Sequence, residues 1–133
     1  MKYMLDTDIC IYLIKKKPRK TLDIFNTLDV GDVCISSITL AELQYGIYKS
    51  RFPEQNLVAL TNFLAPIDIL PFSDKATIVY GKIRSDLEKK GQIIGAYDLL
   101  IAAHALSEHL ILVSNNTKEF NRIPNLTLEN WVE

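Results

Sequence analysis

Cysteine, histidine, glycine and proline are all scarce in this chain: two, two, five and five among 133 residues. Two cysteines without CxxC spacing cannot build a structural zinc site alone. Cys10 and Cys34 each lie in an apolar run, Ile9-Cys10-Ile11 and Val33-Cys34-Ile35, and read as buried, reduced thiols. So little glycine and proline excludes collagen-like and low-complexity chains. Neither sign of charge dominates: 15 Lys+Arg against 16 Asp+Glu leave a net of -1, and so no global basic field for indiscriminate nucleic-acid binding. No apolar run is long enough for a bilayer, since Leu99 to Val113 is interrupted by His104, Ser107, Glu108 and His109. Asp6 and Asp8 break any signal-peptide core, so a soluble, cytoplasmic protein without a membrane partner is expected. The chain also lacks GxxxxGK[ST], GxGxxG and GxSxG, which argues against a P-loop NTPase, a dinucleotide enzyme and a serine hydrolase.

What is present is a globular balance, 48% hydrophobic and 23% charged, at a length that suits one domain, residues 1–133. Short runs rich in Val, Ile and Leu read as strands at Tyr3–Leu5, Val33–Ile35, Ile67–Leu70 and Leu110–Val113, with Leu126–Leu128 as a candidate edge strand. Between them, helical spacing covers Ile9–Lys17, Thr39–Tyr48, Asn56–Leu64, Ala76–Lys90 and Tyr97–Leu106. Strand and helix alternate throughout, so the expected fold is α/β around a mostly parallel sheet. Thr39-Leu40-Ala41-Glu42 fits a capping box, with Ser36 and Ser37 as competing caps. The helix around Asp98 is apolar nearly all round, which buries it in the middle of the domain.

Several acidic residues fall where a fold alone would not need them. Asp6 follows the first strand, where parallel α/β sheets hold their ligands. A helix N-cap is the competing role there, and Asp8 suits it better than Asp6. Glu42 lies early in the helix after the second strand, where it could be either a capping partner or a site residue. Asp98 opens the buried helix between apolar neighbours, and a desolvated charge is costly unless paired or bound to metal. The fourth strand ends in Ser114-Asn115-Asn116, followed by Thr117, Lys118 and Glu119. Parallel strands would bring these groups to one edge of the sheet. Carboxylates about 4 Å apart repel by roughly 4 kcal/mol at an effective dielectric of 20, so three together would be forced to protonate unless a cation neutralises them. Oxygen-only ligands select Mg²⁺ or Mn²⁺, and an acidic site of that kind suits phosphodiester hydrolysis. His104 reads as a satisfied core histidine, and His109 as a turn residue away from the acids.

Four stretches, in order, now carry a resemblance. They are Met4-Leu5-Asp6-Thr7-Asp8-Ile9-Cys10-Ile11-Tyr12, Ile35 to Leu43 through Ser36-Ser37 and Ala41-Glu42, Tyr97-Asp98-Leu99 to Ala105, and Leu112-Val113-Ser114-Asn115-Asn116-Thr117-Lys118-Glu119-Phe120. Together they resemble the VapC-type toxins, PIN-domain ribonucleases of bacterial toxin–antitoxin pairs. The resemblance implies a PIN-like three-layer α/β/α sandwich and Mg²⁺- or Mn²⁺-dependent cleavage of RNA. Its metal-holding acids map onto Asp6, Glu42 and Asp98, with a fourth site position open between Asn116 and Glu119. Thr7, Asp8 and Ser114 are accessory candidates. The resemblance further implies a VapB-type antitoxin as partner, a homodimer, operator DNA reached only through the antitoxin, and a tRNA substrate, notably the initiator tRNA anticodon loop.

In that light the basic run Lys15, Lys16, Lys17, Arg19 and Lys20, broken only by Pro18, is either a solvated helix end or a contact to RNA phosphate. Tyr45, Tyr48, Phe52 and Trp131 belong either to a partner groove or to the core. Two other readings compete. Asp6-Thr7-Asp8 mimics the nucleophile motif of haloacid dehalogenase-type phosphatases, but Cys10 stands where that family wants Thr or Val. A non-catalytic PIN-like binding module is the alternative left open by the uncharged Asn116.

Overall fold

The short apolar runs become strands because the layers on both sides take their side chains out of water. In the computed structural model, which describes all 133 residues, these runs form β1 (Tyr3–Leu5), β2 (Val33–Ser36), β3 (Asp68–Leu70), β4 (Ile111–Val113) and β5 (Leu128–Glu129). Every pairing is parallel, and the order is β3-β2-β1-β4-β5. Alternate side chains point to opposite faces, as the two-residue period requires. Met4, Cys34 and Leu112 enter one apolar cluster, and Tyr3, Leu5, Val33, Ile35 and Val113 enter the other.

Seven helices flank the sheet: α1 (Thr7–Lys15), α2 (Arg19–Asn26), α3 (Ser37–Tyr48), α4 (Pro53–Leu64), α5 (Asp74–Lys89), α6 (Ala96–Ser107) and α7 (Thr117–Phe120). Residues of α5 and α6 fill the first cluster, and residues of α1, α3 and α4 fill the second, which gives the three-layer α/β/α sandwich. The chain adds β2 and β3 on one side of β1, then crosses to add β4 and β5 on the other. The carboxyl ends of β1 and β4 therefore flank a topological switch point, where helices leave the sheet on opposite sides and open a crevice.

Local details depart from the sequence reading at several points. Asp6, not Asp8, caps α1, accepting from the Ile9 N–H at 2.9 Å. Ser36 caps α3 through the Ile38 N–H at 3.1 Å, so Thr39 lies inside the helix and no capping box engages Glu42. Two helices go unrecognised in the sequence. α2 is short, eight residues, with Thr21 its one fully buried residue and Leu22, Ile24 and Phe25 packed partly buried against the second cluster. α7 spans four residues, fewer than a helical period can reveal.

His104 is fully buried on α6. Its Nδ1 lies 2.8 Å from Ser36 Oγ, and its ring meets Phe72 edge-on. Burial lowers its pKa. It is a core histidine as read, although its Nε2 has no partner. Both cysteines are free and buried, and burial pushes their thiols up, Cys34 to about 12. Such thiols are unreactive. No helix is long and apolar enough to cross a membrane.

Trp131 belongs to the core, while Tyr45, Tyr48 and Phe52 are exposed. The Trp131 ring meets Tyr3 edge-on at 5.4 Å, and its carbonyl accepts from Thr21 Oγ1 at 3.1 Å. The carboxyl-terminal segment thus pins α2 against the amino end of β1. Removing a buried Trp side chain costs about 3–5 kcal/mol. Trp131→Ala is expected to lower unfolding stability in urea by that order, and a loss under about 1 kcal/mol would show that the segment is not needed for packing.

Candidate active site

Asp6 sits at the step from β1 to α1, with its backbone extended at ψ 174. Its own N–H donates to the Val113 carbonyl at 3.1 Å, which ties it to β4. Only 4% of the residue is exposed. Burial pushes its carboxyl up to about 7, and the Asp8 and Asp98 charges add to that. The Ser114 hydroxyl and the Ile9 N–H act the other way. Ser114 also accepts from the Asn116 N–H at 2.9 Å, so one side chain orders the ends of both central strands. Asp8 is exposed in the first turn of α1.

Glu42 comes from the second turn of α3 and reaches across to α1. Thr7 Oγ1 donates to its Oε1 at 2.6 Å, which fixes the carboxylate facing the switch point. Asp98 comes from the first turn of α6, beyond the uncharged N-cap Gly95. Its pKa is raised, first by burial and then by the Glu119 and Glu42 charges. The Asn116 amide opposes this: its Nδ2 donates to Asp98 Oδ2 at 3.3 Å and to Glu119 Oε2 at 2.8 Å. Asn116 and Glu119, the two candidates for the fourth position, thus lie side by side next to Asp98. Glu119 brings the charge, and Asn116 holds it beside Asp98.

The structure thus gathers Asp6, Glu42, Asp98 and Glu119 with Thr7, Asp8, Ser114 and Asn116 at the carboxyl edge of the sheet. Of the basic run, Lys15 lines a cavity of about 250 Å³ that Glu42 also lines. The end of α1 is roughly 13 Å along its axis from Asp6 at 1.5 Å per residue; Lys16 and Lys17 are exposed just past it, and Arg19 and Lys20 are exposed in the first turn of α2. The link from His104 to Ser36, which ties the helix carrying Asp98 to the start of the helix carrying Glu42, leaves no signal in the sequence: 68 residues separate the two.

None of these carboxylates forms an ion pair; the four ion pairs of the molecule engage Asp23, Asp86, Glu88 and Glu108 instead. Their repulsion is therefore unrelieved by protein cations. All the donors are oxygens, the preference of a hard divalent ion. No three of the acids converge tightly enough to grip an ion with the side chains as they stand. Glu42 is held by Thr7, and Glu119 by Asn116. The charge and the all-oxygen donor set fit a hard divalent cation.

A model of the PIN domain matches residues 3–126. "Ribonuclease VapC2" of Rickettsia felis is 53% identical over 135 residues, covering 98% of both chains. The "tRNA(fMet)-specific endonuclease VapC" of Shigella flexneri is 47% identical over 131 residues, again covering 98% of each. Among solved structures, VapBC2 from Rickettsia felis bound to a promoter DNA fragment superposes with a TM-score of 0.93 at 52% identity, covering 98% of this chain and 99% of that one.

The raised Asp6 pKa makes a stability prediction. The folded carboxyl holds its proton up to about pH 7, and the unfolded one only to about 3.8, so stability falls as pH rises between the two. At 1.36 kcal/mol per pH unit the ionised group costs about 4 kcal/mol at most. With divalent ions chelated, Asp6→Asn, which keeps the cap, is expected to raise the melting temperature by several degrees above pH 7 and by little near pH 4. A gain independent of pH would refute the assignment to Asp6.

Proposed function

Because the chain belongs to the PIN-domain family, as a VapC-type ribonuclease toxin with a VapB antitoxin partner, we propose that it hydrolyses RNA phosphodiesters at this acidic edge with a bound Mg²⁺ or Mn²⁺. The carrying observation is the convergence of unpaired carboxylates on the switch point, with the Asp98 pKa raised by burial and then by the charges of Glu119 and Glu42. Asp6, Glu42 and Asp98 hold the cation. When bound, such an ion lowers the pKa of water and neutralises charge on the phosphate under attack.

The remaining groups orient and hold. Thr7 fixes Glu42, Ser114 fixes Asp6, and Asn116 spaces Asp98 from Glu119. Glu119 Oε2 is occupied by Asn116, which leaves Oε1 to orient the attacking water and take its proton. Asp8 adds negative charge at the rim and strengthens cation binding. The basic run at Lys15, Lys16, Lys17, Arg19 and Lys20 contacts RNA phosphates away from the cut.

Relatives named tRNA(fMet)-specific endonucleases make initiator tRNA the favoured substrate. The toxin acts in the cytoplasm as a homodimer, and reaches operator DNA only through VapB. Its effect is to block translation.

Cleavage of purified total tRNA by antitoxin-free protein tests this reading. Cuts are expected with Mg²⁺ or Mn²⁺, none with chelator, and a loss of about 100-fold or more in Asp6→Asn and Asp98→Asn. Full activity in either folded variant would reject the mechanism. Changing Lys15, Lys16 and Lys17 to Ala is expected to raise the KM for RNA and flatten its salt dependence. An unchanged salt slope would remove the basic run from the RNA contact.

A further inference from the structure

A second cavity, of about 510 Å³, opens beside the acids: Asp8 and Glu42 line it at one end, and aromatic and cationic residues line much of the rest. Thr7 and Glu42 form the end nearest the acids. Tyr45, Gly46 and Lys49 continue along α3, and Tyr97 enters from the residue before Asp98. Glu42, Tyr45, Gly46 and Lys49 are spaced three, four and seven apart, so they share one face of α3. That face leads directly away from the acids.

The two tyrosines are 67% and 60% exposed. Neither is among the residues of the two apolar clusters, so the fold does not use their rings. Lys49 Nζ lies 5.1 Å from the centre of the Tyr45 ring, and Lys49 makes no ion pair. Gly46 is the most telling position. Glycine inside a helix is less stable than alanine, and a Cβ here would meet nothing within 4 Å. Neither a positive φ nor a close approach of neighbouring atoms requires glycine. Its lack of a side chain keeps the cavity open.

Exposed aromatic faces beside a cation, continuous with a site for phosphodiester chemistry, match the way unpaired nucleotides are held. Aromatic rings stack on bases, and a lysine meets the phosphate between them. We infer that the cavity between Tyr45 and Tyr97 seats an unpaired base next to the scissile phosphate, with Lys49 on the adjoining phosphate. This rests on the ribonuclease reading above and adds to it a reason for single-stranded substrate: a paired base would first have to be unpaired and unstacked to enter. Tyr45 and Tyr97 are then specificity-determining residues, since they touch substrate but no reacting atom.

The test is binding of a short single-stranded RNA carrying 2-aminopurine, measured in the Asp6→Asn background so that nothing is cut. Stacking on a tyrosine quenches the fluorescent base. Tyr45→Ala and Tyr97→Ala are each expected to weaken binding at least about fivefold and to restore fluorescence. Tyr45→Phe and Tyr97→Phe should retain both, because the ring is kept. Gly46→Leu should fold with an undiminished melting temperature, yet bind RNA more weakly. With Asp6 intact, the two alanine variants should raise KM more than they lower kcat.

Unchanged RNA binding and quenching in both alanine variants, while the wild type still cleaves tRNA, would overturn this inference and leave the ribonuclease reading standing. The same result accompanied by loss of co-elution with co-expressed VapB would assign the cavity to the antitoxin instead. Failure of the wild type both to bind single-stranded RNA and to cleave tRNA would overturn the two together.

Discussion

Asp6 is a carboxylate held out of water at the carboxyl end of the central strand, and the elements around it divide the work of keeping it there. Its backbone N–H extends the ladder to β4, and its side chain starts α1. The Ser114 hydroxyl and the Ile9 N–H offset only part of the desolvation, so the carboxyl titrates near neutrality instead of in the acid range. Stability and chemistry pull in opposite directions at this residue. A neutral cap would serve the fold better, whereas a charge that is poorly solvated and unpaired attracts a cation.

The other acids depend on the same strand ends. A parallel sheet whose order reverses across β1 leaves a crevice between the ends of β1 and β4. Glu42 arrives on the helix after β2, Asp98 on the helix before β4, and Glu119 on the short helix after β4. Residues far apart in the chain thereby repel one another, and the repulsion is registered at Asp98. The buried contact between His104 and Ser36 sets the helix of Asp98 against the start of the helix of Glu42. Buried away from water, such a hydrogen bond is electrostatically stronger than an exposed one.

Much of this was legible in the chain. The alternation of short apolar runs with helical segments was sufficient for a parallel α/β sheet, because strands buried on both faces and amphipathic helices differ in period and length. Asp6 and Asp98 stood out as charges next to apolar residues at the ends of elements, whereas Glu42 fitted a capping box as well as it fitted a site. The caps did not stand out. Asp6 and Asp8 both fit the start of α1, and only the backbone's extended turn at Asp6 chooses between them. The capping box written in Thr39 to Glu42 was overridden when Ser36 started the helix earlier, which freed Glu42 to take the Thr7 hydroxyl.

What the sequence determined by itself is therefore the inventory: the number and type of apolar segments, the all-oxygen donor set and the near-zero net charge. These depend on residue type and on spacing within one turn or one strand. The tertiary structure alone decided which groups meet. Asn116 became a bridge between Asp98 and Glu119, Trp131 went to the core, and Tyr45 and Tyr97 came to share a cavity. The physical reason is that repulsion, desolvation and hydrogen bonding act through distances of a few ångströms, and those distances are set by the order of strands in the sheet, not by position along the chain.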